Sequence, residues 1–184
     1  MADEVLDPTG RSGARVPEKL YVTGLARRRP EMRGARVGLL ANTKCNADVL
    51  LHEIARRLVD EHGATAVTLV TRKVAFALAV EDDVVAQYRH SCDVVIAGVG
   101  DCGSSSASAV ADGMLLEQAG LPTAVICTEA FVATADAMAE LRGAPDYDYV
   151  VTEHPLSSLS PDQARERARG LLADVLPLLT QENR

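Results

Sequence analysis

The chain has 184 residues, 47% hydrophobic and 24% charged, the proportions of one soluble globular domain long enough to bury a full core. Aromatic residues make up only 3% and Trp is absent, so the core must be built from Ala, Val, Leu and Ile, and a base-stacking nucleic-acid platform is argued against. A formal net charge of -7 likewise gives no electrostatic reason to expect nucleic acid or an anionic membrane as partner.

Residues 1–35 carry Pro8, Gly10, Gly13, Pro17, Gly24, Pro30 and Gly34 without sustained periodicity. They read as an extended N-terminal arm packed over the domain, with a short strand expected around Leu20, Tyr21 and Val22. The acidic opening MADEVLDPTG lacks the apolar stretch of a secretory signal, and no run approaches the ~20 apolar residues that span a membrane. A cytoplasmic location is therefore expected. Arg27, Arg28, Arg29, Arg33 and Arg36 crowd one stretch, which reads as a solvated surface or a subunit contact in preference to a binding patch.

From Arg36 onward, over 36–184, strand and helix patterns alternate. A buried strand is expected at 36–41, then a helix capped by Asn46 or Asp48 and stopped by Gly63. Further strands are expected at 66–70, 93–99, 123–127 and 149–152, with helices near 81–90, 107–119 and 131–141. A last helix starts at Ser160 and Pro161. This alternation predicts a single α/β, doubly wound, flavodoxin-like or Rossmann-like domain: a five-stranded parallel sheet in the order 2-1-3-4-5, with helices on both faces.

Ligands bind such sheets at the carboxyl ends of the strands. That rim should gather Asn42, Thr43, Lys44 and Cys45 after strand one. Asp101, Cys102, Gly103, Ser104, Ser105 and Ser106 follow strand three, Cys127, Thr128 and Glu129 close strand four, and Glu153 and His154 close strand five. Cys92 opens strand three at the opposite end and reads as structural. None of the four cysteines forms a CxxC pair and no His completes a zinc site, so free thiols in a reducing compartment are expected, with no metal and no cofactor. Cys102 is the leading candidate. It sits in a Gly-rich turn opening a helix, where unpaired N–H groups and the helix dipole favour a nucleophilic thiolate. The same N–H groups suit a carboxylate, a phosphate or a developing oxyanion, although GVGDCG is neither a GxGxxG nor a Walker motif. Asp101 reads as a turn cap, a proton acceptor or an orienter of Lys44. Lys44 reads as a ligand for a substrate carboxylate or a brake on the Cys102 pKa, and His154 as an acid–base group. Thr128 and Glu129 suit a substrate polar group or the following helix N-terminus. His52, His62 and His90 are expected to face solvent.

The run GVGDCGSSS, with LLANTKCNAD before it, CTEAF and EHPL after it, and VLDPTG near the start, resembles the UGSC family. That family is named for a selenocysteine-or-cysteine, Gly, Ser, Cys motif and is similar to the selenoprotein B-type subunits of glycine and proline reductases. The resemblance places Cys102 at the selenocysteine position. It also implies a second cysteine where this chain has Ser105, and a hydroxyl cannot resolve a mixed disulfide. The family's usual Pro in the turn after strand one is Cys45 here, so Cys45 or Cys127 is the candidate second thiol.

Together these features predict a cysteine-dependent enzyme in which Cys102 adds covalently to a small electrophilic substrate, in lyase, hydrolase or group-transfer chemistry. The Gly103–Ser106 N–H groups would hold the anion, and His154 or Asp101 would move the proton. Three alternatives stand beside it: a thiol reductase resolved by Cys45 or Cys127, a cofactor-independent two-cysteine racemase or isomerase, and a non-catalytic subunit or binding module. The expected partners are a small-molecule substrate and either a second copy of the chain or a partner subunit.

Overall fold

A computed structural model of the chain describes residues 24–181. The strand expected at Leu20–Val22 and the VLDPTG opening lie outside the described residues. Five parallel strands, β1 (Arg36–Ala41), β2 (Ala66–Arg72), β3 (Val94–Gly100), β4 (Thr123–Thr128) and β5 (Val150–Thr152), pair in the order β2-β1-β3-β4-β5. The helices are α1 (Ala47–His62), α2 (Asp82–Ser91), α3 (Gly103–Gln118), α4 (Val132–Leu141), α5 (Pro161–Gly170) and α6 (Leu172–Leu179). A 3-10 turn at Glu129–Phe131 precedes α4. This is the expected doubly wound α/β arrangement.

Successive strand side chains point to opposite faces, and the core divides accordingly. Val37, Leu39, Val94, Ile96, Ala124 and Ile126 pack on one face with apolar residues of α1, α5 and α6. Leu40, Val95, Ala97, Val125 and Cys127 pack on the other with residues of α2, α3 and α4. Every position of β3 and β4 is buried, as strands covered on both faces require.

Three boundaries differ from expectation. Asn46 precedes α1 in the left-handed region (φ 65) and makes no side-chain cap; its amide donates instead to the Leu156 and Leu159 carbonyls at 2.9 and 2.8 Å. Helix α3 starts at Gly103, four residues before the expected 107; its first turn is polar and carries no apolar periodicity to mark it. The last helix is two helices. Ser160 and Gln163 form the capping box of α5, and the chain turns at Leu171 so that the apolar face of α6 reaches the sheet. The stop of α1 is as expected: Gly63 adopts φ 72, a left-handed cap that a side chain would resist.

Two buried carboxylates on α3 tie distant segments to the domain. Glu117 accepts from the buried Arg28 guanidinium at 2.7 Å and from the Ala26 N–H at 2.7 Å, fixing residues 26–28 against the helix. Arg28 therefore leaves the expected solvated basic surface. Asp112 accepts from Lys73 Nζ at 2.6 Å and from the Val80 N–H at 2.8 Å, and Lys73 also donates to Ser108 at 2.7 Å, pinning both ends of the loop after β2. Among the described residues, no helix is long and apolar enough to cross a membrane.

Candidate active site

Strand β3 delivers the chain to the site through Gly100. A Cβ there would lie 2.6 Å from both Cys127 Sγ and Ser106 Oγ, so only glycine lets α3 begin this close to the sheet. Cys102 follows in extended conformation as the N-cap of α3. Its thiol is partly exposed, 3.2 Å from Ser105 Oγ and 3.5 Å from Ser104 Oγ. Ser105 is fully buried and accepts from the N–H groups of Asp101 and Cys102, each at 3.0 Å, while the Ser105 N–H donates back to the thiol in a reciprocal capping box. Burial alone would raise the Cys102 pKa. The Ser105 hydroxyl, the Ser104 hydroxyl, the Ser105 N–H and the Lys44 ammonium outweigh it, and the pKa falls from its ordinary value of 9.0 to about 6.

Asp101 is buried, and its two carboxylate oxygens accept from the Leu156 and Ser157 N–H groups at 3.0 and 2.9 Å. Burial pushes its pKa up, but those N–H donors and His154 outweigh it, so the carboxyl is held below its ordinary range. It also lies 3.1 Å from His154 Nδ1. Thr128 Oγ1 donates to the Gly100 carbonyl at 3.1 Å, so at 3.2 Å from His154 Nδ1 it can only accept. Both neighbours therefore require a proton on Nδ1, and among the described residues Nε2 meets no hydrogen-bond partner. The Phe131 ring meets the imidazole edge-on at 5.3 Å.

The strand-end rule thus brings Asp101, Cys102, Thr128 and His154 together, along with Lys44, which supports the thiolate and lies 4.8 Å from the Phe76 ring centroid. Several expected substrate contacts are spent inside the protein. Asn42 is buried, donates to the Val99 carbonyl at 2.7 Å and accepts the Lys44 N–H at 3.1 Å, bracing the exits of β1 and β3. Ser105 serves the thiol. The buried Ser106 hydroxyl faces Cys127, and the Ser106 N–H donates to the Cys102 carbonyl at 2.9 Å. Asp101 clamps residues 156 and 157. Thr43, Cys45, Ser104 and Glu129 are exposed on the rim, and Gly103 is partly so. The Gly103 and Ser104 N–H groups, at the first two helical positions, have no acceptor within the helix.

The other thiols differ. Cys127 is fully buried, and burial pushes its pKa up to about 12 against the Ser106 hydroxyl and the Gly100 N–H. Cys92 is also buried and raised by burial, which the Thr68 hydroxyl and Arg36 only partly offset. The sequence reading missed the Ser105 network, the Asp101 clamp and the edge contact of Phe131. A serine three residues after Cys102 is a capping-box signal, but it shows only once the helix is started at Gly103.

A family model described as the UGSC family matches residues 4–181, nearly the whole chain. No curated protein and no solved structure matches it.

Proposed function

The chain belongs to the UGSC family, and from that membership and the surroundings of Cys102 we propose that it is a cysteine-dependent enzyme whose Cys102 thiolate adds to a small electrophilic substrate. The observation that carries this reading is the Ser104–Ser105–Lys44 environment, which favours the thiolate at neutral pH without a base to remove its proton. In the addition, a C–S bond forms at a polarised carbon and the displaced electron pair moves to the attached oxygen or nitrogen. The Gly103 and Ser104 N–H groups and the helix N-terminus then hold the developing anion. His154 handles the accompanying proton through Nε2, and Asp101 and Thr128 fix its tautomer. Asp101 itself stays ionised. The chemistry is lyase, hydrolase or group transfer, in a reducing cytoplasm that keeps the thiols free.

The exposure of Cys45 on the same rim supports a second reading, a thiol reductase in which Cys45 resolves a bond to Cys102. Burial and a raised pKa argue against Cys127 in that role.

Iodoacetamide labelling across pH, read by peptide mapping, tests the first reading. Cys102 should label with a midpoint near its pKa of about 6, well before Cys92 and Cys127. Labelling of Cys102 no faster than Cys92 would remove the nucleophile. A parallel oxidation that traps a Cys45–Cys102 disulfide would move the assignment to the reductase.

A further inference from the structure

A second concave site lies at the opposite edge of the sheet, where β1, β3 and β4 begin. Arg27, Arg29, Arg36 and Arg89 surround a cavity of about 440 Å³, lined further by Asp93 and the turn 119–122. The seven residues of β3 separate it from Cys102 by on the order of 20 Å.

Among the described residues, the charges around this cavity do not balance. Asp93 is the one carboxylate facing four guanidinium groups, and Arg36 takes both of its oxygens, with Nε at 3.2 Å and Nη2 at 3.1 Å. Arg36 Nη1 donates to the His90 carbonyl at 3.2 Å, so this side chain is held in place. Arg29 stands near enough to help depress the Asp93 carboxyl, yet among the described residues its side chain bonds only from Nε to the Glu31 carbonyl at 3.4 Å. Arg27 and Arg89 meet no carboxylate among the described residues. The Cys92 N–H returns to the Tyr88 carbonyl, and the N–H groups of residues 119–121 return to carbonyls of the last turn of α3.

Among the described residues, an excess of three positive charges therefore rims one cavity on a chain of net charge -7. The volume falls within the range of about 300–1,000 Å³ typical of small-ligand pockets. Guanidinium forks match the paired oxygens of phosphates and carboxylates. We propose that this cavity binds a small multivalent oxyanion, with Arg27, Arg29 and Arg89 as its ligands and Arg36 pre-set by Asp93. The phosphate groups of esters and the carboxylates of small polyacids share this chemistry.

Calorimetric titration at fixed ionic strength, with inorganic pyrophosphate and with tricarballylate, tests the proposal. The wild type should bind at least one of them saturably, one per chain, and the tighter of the two identifies the source chemistry. Arg27→Gln/Arg89→Gln should weaken that binding tenfold or more at an unchanged melting temperature, whereas Cys102→Ser should leave it unchanged. Absence of saturable heat from both probes, or equal affinity in the double variant, overturns the proposal. So does a double variant that keeps its affinity but changes sedimentation, which would make this face a subunit contact.

Discussion

The Ser105 hydroxyl accepts from two backbone N–H groups, so its single proton can go either to Cys102 Sγ or to the Cys102 carbonyl, each 3.2 Å away. A negative sulfur draws that proton more strongly than a neutral carbonyl does. Hydrogen bonds to charged groups contribute about 1.5–3 kcal/mol, and one pKa unit corresponds to about 1.4 kcal/mol. Ser105→Ala should therefore raise the Cys102 labelling midpoint by about one unit or more. Ser105→Cys puts a second thiol beside Cys102, and the 3.2 Å contact leaves little movement before an S–S bond forms. Mild oxidation of that variant should give an intramolecular disulfide, seen by mass spectrometry as the loss of two hydrogens, which the wild type cannot form at this position. The depressed thiol pKa also links to stability. Because the folded value is about 6 and the unfolded value lies near ~8.5, the thiolate's stabilisation is complete above the unfolded value and is lost as pH falls through the folded one. The melting-temperature advantage of wild type over Cys102→Ala should accordingly grow from about pH 6 to about pH 9, and a constant difference would contradict the shift.

Strand positions were readable because β3 and β4 are continuous apolar runs bounded by glycine and polar turns, and buried parallel strands take that form. The start of α3 was not, since Gly103, Ser104, Ser105 and Ser106 show no helical period and their helicity rests on the capping box and the sheet beneath. Asn46 has a cap residue's identity, but its partners, Leu156 and Leu159, are more than a hundred residues away and carry no local signal. The rim followed from topology, whereas the direction of each polar side chain did not. Asn42, Ser106 and Thr128 all sit at strand ends or helix starts and turn inward. The buried Lys73–Asp112 pair was equally hidden, and it gives the element-scale prediction. Removing one partner leaves a buried charge without its counterion, at a cost of about 3–5 kcal/mol, whereas an apolar replacement of both is close to neutral. Urea denaturation of Lys73→Met should show a loss of that size, and Lys73→Met/Asp112→Leu should recover part of it, the remainder being the Val80 N–H left without its acceptor.

Across the whole molecule, the loop after β5 is where three strand exits converge. Asp101, after β3, accepts from the N–H groups of residues 156 and 157, and Asn46, after β1, donates to the carbonyls of residues 156 and 159. His154, at the start of the same loop, contacts Asp101 and Thr128 of β4. The seat of the acid–base group thus depends on carboxylate and amide clamps, and the loop itself supplies only Leu156 and Leu159 to the apolar core. Strands β3 and β4, buried at every position, lie beneath it and should open only with the whole domain. Asp101→Asn keeps one acceptor oxygen and loses the other together with the charge, a loss of about 1–2 kcal/mol confined to this loop. Hydrogen exchange followed by mass spectrometry should then show peptides covering 153–159 exchanging about tenfold faster, with β3 and β4 still the slowest segments. Because a looser loop also frees the His154 ring, any step that uses Nε2 should slow in this variant, while the pH midpoint of Cys102 labelling, set by Ser105, Ser104 and Lys44, stays near its wild-type value. Unchanged exchange over 153–159 would mean that Asp101 does not hold the loop, and the fixed tautomer of His154 would lose its structural basis.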